Sequence, residues 1–357
     1  MIPKVGSITA KKLIAYCGGA EAVFREAKSS LQKIRGINDI IAQAVVDQQV
    51  LRLAEKELEY IHKNNITALT YTDDSYPIRL RNCDDSPTVL FVKGKIDLNA
   101  AKIVSIVGTR NATPYGLECC EHLVEQLSAR GHNPIIVSGL AYGIDVCAHK
   151  AALKYGLSTV GVLGTGLNMI YPSQHRSVAN QMLEQGALVS DFTSQAKLDR
   201  NNFLKRNRII AGLADATIVV ESGEKGGALV TADIAMSYNR DVLAFPGRVG
   251  DSSSKGCNTL IKRNKAALIE TIEDLEYALG WDEVKPTAAR QLPLFANLGE
   301  KESIVISLLE KSEVETIDSL CRQTEMPISE LAALLLNMEF SGYVRSLPGK
   351  AYTLKKR

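Results

Sequence analysis

Short apolar runs rich in valine and isoleucine recur through the middle of the chain, each followed by a polar stretch with helical spacing. KIVSIVGT, NPIIVSG, STVGVLGTG, GALVSD, ATIVVES, DVLAFPG and AALIE show little alternation of apolar and polar positions, the pattern of strands covered on both faces. Between them, YGLECCEHLVEQLSARG, GIDVCAHKAALKYG and SQHRSVANQMLEQG read as helices. This order predicts an α/β fold with a doubly wound, mostly parallel sheet across residues 101–280, and ligands beyond the C-terminal ends of its strands. The segment YTDDSYPIRLRNCDDSPTVLFVKG leads into it as a loop and an edge strand, so that the sheet domain as a whole spans 66–281.

The flanks have other patterns. Residues 1–65 are helical, with LRLAEKELEY a clear amphipathic stretch. Within them LQKIRGINDIIAQAVVD has the outline of a helix-hairpin-helix or SAM-like unit, turning at Arg35-Gly36-Ile37-Asn38. The exposed N–H groups of such a turn can hold a phosphate. A Gly-capped helical turn has the same outline, and plain packing is the preferred reading. A polar, proline-containing linker, 282–297, follows Trp281. Residues 298–357 then give three helices and a hairpin in winged-helix order. The third of these helices, PISELAALLLNMEFSG, holds Glu330 and Glu339 and no lysine or arginine. A helix entering a major groove beside phosphates needs cations or amides. The tail therefore fits a protein contact better than DNA.

Composition narrows the field. The chain has 357 residues, 45% apolar and 23% charged, with a formal net charge of +2. A polyanion must then be held by a local patch, not by the whole molecule. No apolar run approaches the ~20 residues of a membrane span, and the start lacks the outline of a signal peptide. The seven cysteines and five histidines are scattered without a zinc-type cluster. These features together predict a reduced, cytoplasmic protein without metal.

The unusual residues gather where the strands end. Gly108-Thr109-Arg110 follows the first run, and Ser138-Gly139 with Gly143-Ile144-Asp145 the second. Gly164-Thr165-Gly166 follows the third, and Glu221 with Gly226-Gly227 the fifth. NFLKRNR, between the fourth and fifth, sets Lys205, Arg206 and Arg208 within four positions. Glycines after strands are ordinarily turn residues. Helix N-termini and four cations converging on one rim, however, describe an anion site long enough for several phosphates. LGTGLNMIYP lacks the third glycine of a dinucleotide fingerprint, and no G-x-x-x-x-G-K-[ST] occurs, so neither NAD nor a Walker-bound nucleotide is expected. No catalytic triad can be assembled. His149 reads as a packing residue, and Asp145 as a charge favourable to its helix N-terminus.

SIVGTRNATPYG, IIVSGLAYGIDVCAHKAAL, TVGVLGTGLNMIYPSQH, GALVSDF, FLKRNRIIAGL, VVESGEKGGALVTADIA, VLAFPG and GCNTLIK resemble, in order, the blocks of the DprA/Smf family of DNA-processing proteins. The resemblance covers about half the chain. It implies an extended Rossmann-like sheet, commonly dimerising through that domain. It also implies non-catalytic binding of single-stranded DNA in natural transformation, with protection of incoming strands and loading of the RecA recombinase. Carried over by motif, the DNA-contacting positions are Arg110, then Phe203 with Lys205, Arg206 and Arg208, and Lys225-Gly226-Gly227. The rim residues Gly108, Ser138, Gly139, Tyr142, Gly143, Gly164 and Gly166, with Asn207 inside the basic segment, complete the expected strand path. Many members have arginine at Tyr142 and a serine at Gly226. The first departure trades a cation for a ring that can stack on a base. The second leaves phosphate contact to backbone N–H groups.

Two further readings stand beside this one. GGALVTADIA faintly resembles the signature of nucleoside-monophosphate phosphoribohydrolases, with Asp233 near the place of their catalytic glutamate. In the linker, Gln291, Leu294 and Phe295 of QLPLF resemble the pentapeptide that docks bacterial proteins on the replicative sliding clamp. A tether for the tail is the preferred reading of that segment.

Overall fold

A computed structural model describes residues 2–281, 299–312, 314–347 and 350–354. They fall into two compact units, Met1–Asp282 and Glu283–Arg357. The clamp-like segment at Gln291, Leu294 and Phe295 lies outside the described residues.

Five helices open the first unit: α1 (Ser7–Cys17), α2 (Ala20–Arg25), α3 (Lys28–Leu31), α4 (Asp39–Val46) and α5 (Gln49–Lys63). Leu13, Val23, Leu31, Ile34, Ile37 and Val45 give them a small core of their own. At the hairpin-like turn, the Asn38 side chain accepts from the Ile41 N–H at 3.0 Å and so occupies a donor at the start of α4. These helices are fastened to the sheet. Lys11 donates to Ser86 Oγ at 2.5 Å, and Glu57 accepts from the Ser194 N–H at 2.8 Å and its hydroxyl at 2.6 Å. Ile61 shares a core with Phe91, Leu163 and Val178.

The sheet has nine strands: β1 (Thr67–Thr70), β2 (Val89–Gly94), β3 (Ile103–Val107), β4 (Ile135–Ser138), β5 (Thr159–Val162), β6 (Gly186–Ser190), β7 (Ala216–Val219), β8 (Asp241–Ala244) and β9 (Ala267–Leu268). Their spatial order is β1-β2-β6-β5-β4-β3-β7-β8-β9. β1 with β2 and β2 with β6 are antiparallel, and all other neighbours are parallel. The run PTVLFVKG, expected at the edge, lies one strand in; β1 takes the edge because residues 67–70 add on outside it.

The intervening helices are α6 (Ile78–Arg81), α7 (Pro114–Ala129), α8 (Ile144–Lys154), α9 (Arg176–Gln185), α10 (Arg200–Leu213), α11 (Gly227–Ser237), α12 (Lys255–Lys262) and α13 (Ile272–Leu279). Val104, Ile106, Ile136 and Ile218 pack on one face against Leu123, Val124, Ala148 and Leu275 of α7, α8 and α13. Their neighbours Ile103, Val107, Val137 and Val219 pack on the other against Ile209, Ala232 and Leu260 of α10, α11 and α12. Successive strand residues thus enter opposite cores, which is why these runs show no polar alternation.

The second unit comprises α14 (Glu300–Ser312), β10 (Val314–Thr316), α15 (Ile317–Thr324), α16 (Ile328–Phe340), β11 (Val344–Leu347) and β12 (Ala351–Leu354), with its sheet ordered β10-β12-β11. Val305, Leu320, Leu331, Leu335 and Met338 form its core. The acids of α16 are used locally: Glu330 pairs with Lys301, and Glu339 accepts from the Ser346 N–H at 2.9 Å and its hydroxyl at 2.6 Å. Among the described residues, no helix is long and apolar enough to cross a membrane.

Candidate nucleic-acid interface

The turns after β3 and β4 interlock through their backbones. The Thr109 N–H donates to Glu221 O at 2.7 Å, and the Ile144 N–H donates to Thr109 O at 3.2 Å. Gly143 has φ +72°, and a Cβ there would overlap Thr109 O and approach the Arg110 backbone, so only glycine fits. The buried Glu221 carboxylate accepts from the Thr113 N–H at 2.8 Å and the Thr113 hydroxyl at 2.7 Å, which fixes the start of α7. Its role is to shape the Arg110 turn. Arg110 itself is exposed. Beside it stands Tyr142, 43% exposed, its hydroxyl donating to Gln174 Oε1 at 3.0 Å and its ring edge-on to His175 at 5.0 Å.

Along the same rim, Lys225 is exposed, and α11 begins at Gly226-Gly227 without a side-chain cap. The α8 N-terminus at Gly143 also lacks one. The first N–H groups of α11 are therefore open to an anion on this rim, whereas α8 spends its Ile144 N–H on Thr109 O and its Val146 N–H on Ala141 O. At the start of α10, capped by Asp199, the Phe203 ring rests on the Gly164 backbone and lies 5.3 Å from the Tyr171 ring.

The basic segment is helical, and that divides its cations. Lys205 is exposed. Arg206, expected at the surface, is only 3% exposed: it donates to Val162 O at 2.6 Å, lies against Gly139, and faces Asp145. Arg208, expected on the strand path, pairs with Asp191 at 2.5 Å and donates to Asp85 O, which gives it a structural role. The reason is helical periodicity: residues 206, 209, 210 and 213 form one stripe, so the apolar run continues backwards through Arg206. Burial lowers Arg206 to about 10 against the pull of Asp145, and burial raises Asp145 against the pull of Arg206.

Several other rim positions sit beneath the surface. The Ser138 hydroxyl, expected to face the strand, is buried and donates to Ile106 O at 2.6 Å. Asn207 is buried and reaches Gly227 O at 3.5 Å. Gly139, Gly164 and Gly166 are likewise buried, and Gly108 packs on Ile144. They shape the rim from below. One exposed cation escaped the sequence reading: Arg200 lies one helical turn before Phe203, on the same face of α10. Its signal was the three-residue spacing, visible only once 200–213 is known to be one helix.

A family profile described as DNA recombination-mediator protein A matches residues 67–280, and one described as DprA winged helix domain matches residues 287–350. The chain belongs to the DprA/Smf family. Protein Smf of Escherichia coli (strain K12) is 33% identical over 342 residues, covering 88% of each chain. The solved structure of DprA from Streptococcus pneumoniae is 32% identical, with a TM-score of 0.65 over 75% of this chain and 91% of that one. DprA from Helicobacter pylori, described for its unique single-stranded DNA binding mode, is 28% identical, with a TM-score of 0.55 over 61% of this chain and 96% of that one. DprA/Smf membership thus accounts for both the extended sheet and the winged helix.

Beneath this DprA-type rim, His149 is fully buried, and its proton placement follows from its neighbour. Thr159 donates its hydroxyl hydrogen to Ile136 O at 2.9 Å, so it accepts from His149 Nδ1–H at 2.6 Å. Burial, then the nearby Arg206 charge, pushes the imidazole down to about 3 from 6.5. A depressed pKa gives stability that is full above 6.5 and is lost as pH falls from there toward 3. Between pH 6.5 and 5, His149→Asn should therefore lose less stability than the parent, by about 1 kcal/mol per pH unit. Urea midpoints across that range test this; parallel losses would contradict it.

Proposed function

We propose that this DprA/Smf member binds single-stranded DNA along the C-terminal rim of its sheet, protects incoming strands in natural transformation and helps load RecA on them. The observation that carries this reading is that Arg110, Tyr142 and Lys225 are exposed in the segments just after β3, β4 and β7, with exposed Lys205 in α10, the helix that follows β6. Cations spaced along an edge suit a backbone with repeated phosphates, and an exposed ring suits stacking on any base, so sequence need not be read. The family supports the same reading, as does the single-strand binding described for the Helicobacter pylori relative. A homodimer through the sheet domain and a cytoplasmic location belong to this proposal. Its chemistry is binding without turnover.

The phosphoribohydrolase reading has the weaker footing. Asp233 is exposed in the second turn of α11 and pairs with Lys265 at 2.8 Å, away from the rim. Incubation with AMP should release no free adenine.

Photo-crosslinking of a reactive single strand, followed by peptide mapping, tests the placement. Adducts are expected on peptides carrying Arg110, Tyr142 or Phe203; adducts confined to α16 would overturn it. Removal of the tail from Leu298 onward should change strand affinity by less than about tenfold, ~1.4 kcal/mol, because α16 presents no cation. A larger loss, with the sheet unit still folded, would make the tail part of the site.

A further inference from the structure

We propose that Cys120 and Cys147 form an oxidisable dithiol in the seam between α7 and α8, closed to a disulfide by peroxides. Cys120 Sγ lies 3.9 Å from Ile144 O, and Cys147 Sγ lies 3.7 Å from Leu117 O. Each thiol thus reaches the carbonyl three residues before the other cysteine, the neighbouring position on the same helix face. This reciprocal placement brings the two thiols to the same point of the seam, where each shifts the ionisation of the other.

Their surroundings give them different tasks. Cys147 is partly exposed, whereas Cys120 is fully buried. The hydrogen bond from Cys120 holds the Cys147 thiol below its ordinary range, Lys150 adding to it while burial and Glu121 oppose, and the same bond raises Cys120. The thiolate is the nucleophile toward peroxide, so an accessible thiol with a buried neighbour is an attacking and resolving pair. Elsewhere the buried thiols are unsuited: burial pushes Cys83 up to about 11 and Cys257 up to about 12.

The steps balance. Cys147 thiolate attacks one peroxide oxygen, the O–O bond breaks, and hydroxide leaves and takes up a proton as water. The Cys147 sulfenic acid is then attacked by Cys120 sulfur; the S–S bond forms, and the hydroxyl leaves with the Cys120 proton as a second water. Two thiols are oxidised and one hydrogen peroxide is reduced. Closure draws the two sulfurs to about 2.05 Å.

The test uses the full chain, treated with stoichiometric hydrogen peroxide, alkylated under denaturing conditions and peptide-mapped. The expected product is a peptide pair joined through Cys120 and Cys147, lighter than the two thiol peptides by two hydrogens and restored by dithiothreitol. Cys119→Ser should still form it, which distinguishes Cys120 from its neighbour. In Cys120→Ser the Cys147 sulfenic acid should persist and be trapped by dimedone. The proposal is overturned if both cysteines of the parent remain alkylatable, if Cys147 advances to sulfinic acid with Cys120 still a thiol, or if the joined partner is Cys119.

Discussion

Arg206→Ala destabilises the protein by about 3–5 kcal/mol, the cost of stranding a buried charge. Alanine leaves Asp145 buried without the cation that holds its pKa down, leaves Val162 O without its donor, and opens a void beneath Gly139. Urea unfolding should show the midpoint falling at constant slope, since the change acts on the native state. Lys205→Ala, one residue earlier on the exposed face, should move the midpoint by no more than about 0.5 kcal/mol. If the two variants unfold alike, the division of the basic segment into a buried and an exposed cation is wrong. Any loss of strand binding by Arg206→Ala must therefore be corrected for the fraction folded.

The second large effect concerns the rim itself. Replacing Arg110, Lys205 and Lys225 together by alanine removes three exposed cations without touching a core. The slope of log affinity against log salt should flatten by about 2, at ~0.7 for each lost phosphate contact. Affinity at moderate salt should fall by roughly tenfold to a hundredfold, ~1.4–2.7 kcal/mol. Tyr142→Ala separates charge from stacking: it should weaken binding by about 1–3 kcal/mol and leave the slope alone. A triple variant that keeps the parent's slope would remove the rim from the binding site, even if its affinity changed for other reasons.

Much of this arrangement is legible in the linear chain, and the reason is local. Runs such as KIVSIVGT and ATIVVES are too short and too uniformly apolar for anything but strands covered on both sides, and β3 and β7 form there. The turn glycines also announce themselves, because Gly143 must place its Cα on Thr109 O at positive φ. What the chain hides is direction around a helix axis. NFLKRNR reads as a patch, but α10 turns by about 100° per residue, and the sheet on one side claims Arg206. The stripe through 206, 209, 210 and 213 contains the answer, yet a charged residue at its head masks it. Ser138 misleads for a related reason: a strand-end hydroxyl looks free until the adjacent β3 supplies Ile106 O. The edge strand was misplaced because TALT has no apolar run to mark it. Arg200 is missed because its three-residue spacing from Phe203 has meaning only once 200–213 is one helix.

Equilibrium titration of a labelled single strand, beside its duplex, across several salt concentrations and without ATP, tests the central claim most directly. The strand should bind more tightly than the duplex, irrespective of sequence, with affinity falling linearly in log salt by about 0.7 for each phosphate held. Equal affinity for the duplex, or binding that needs ATP, would contradict it.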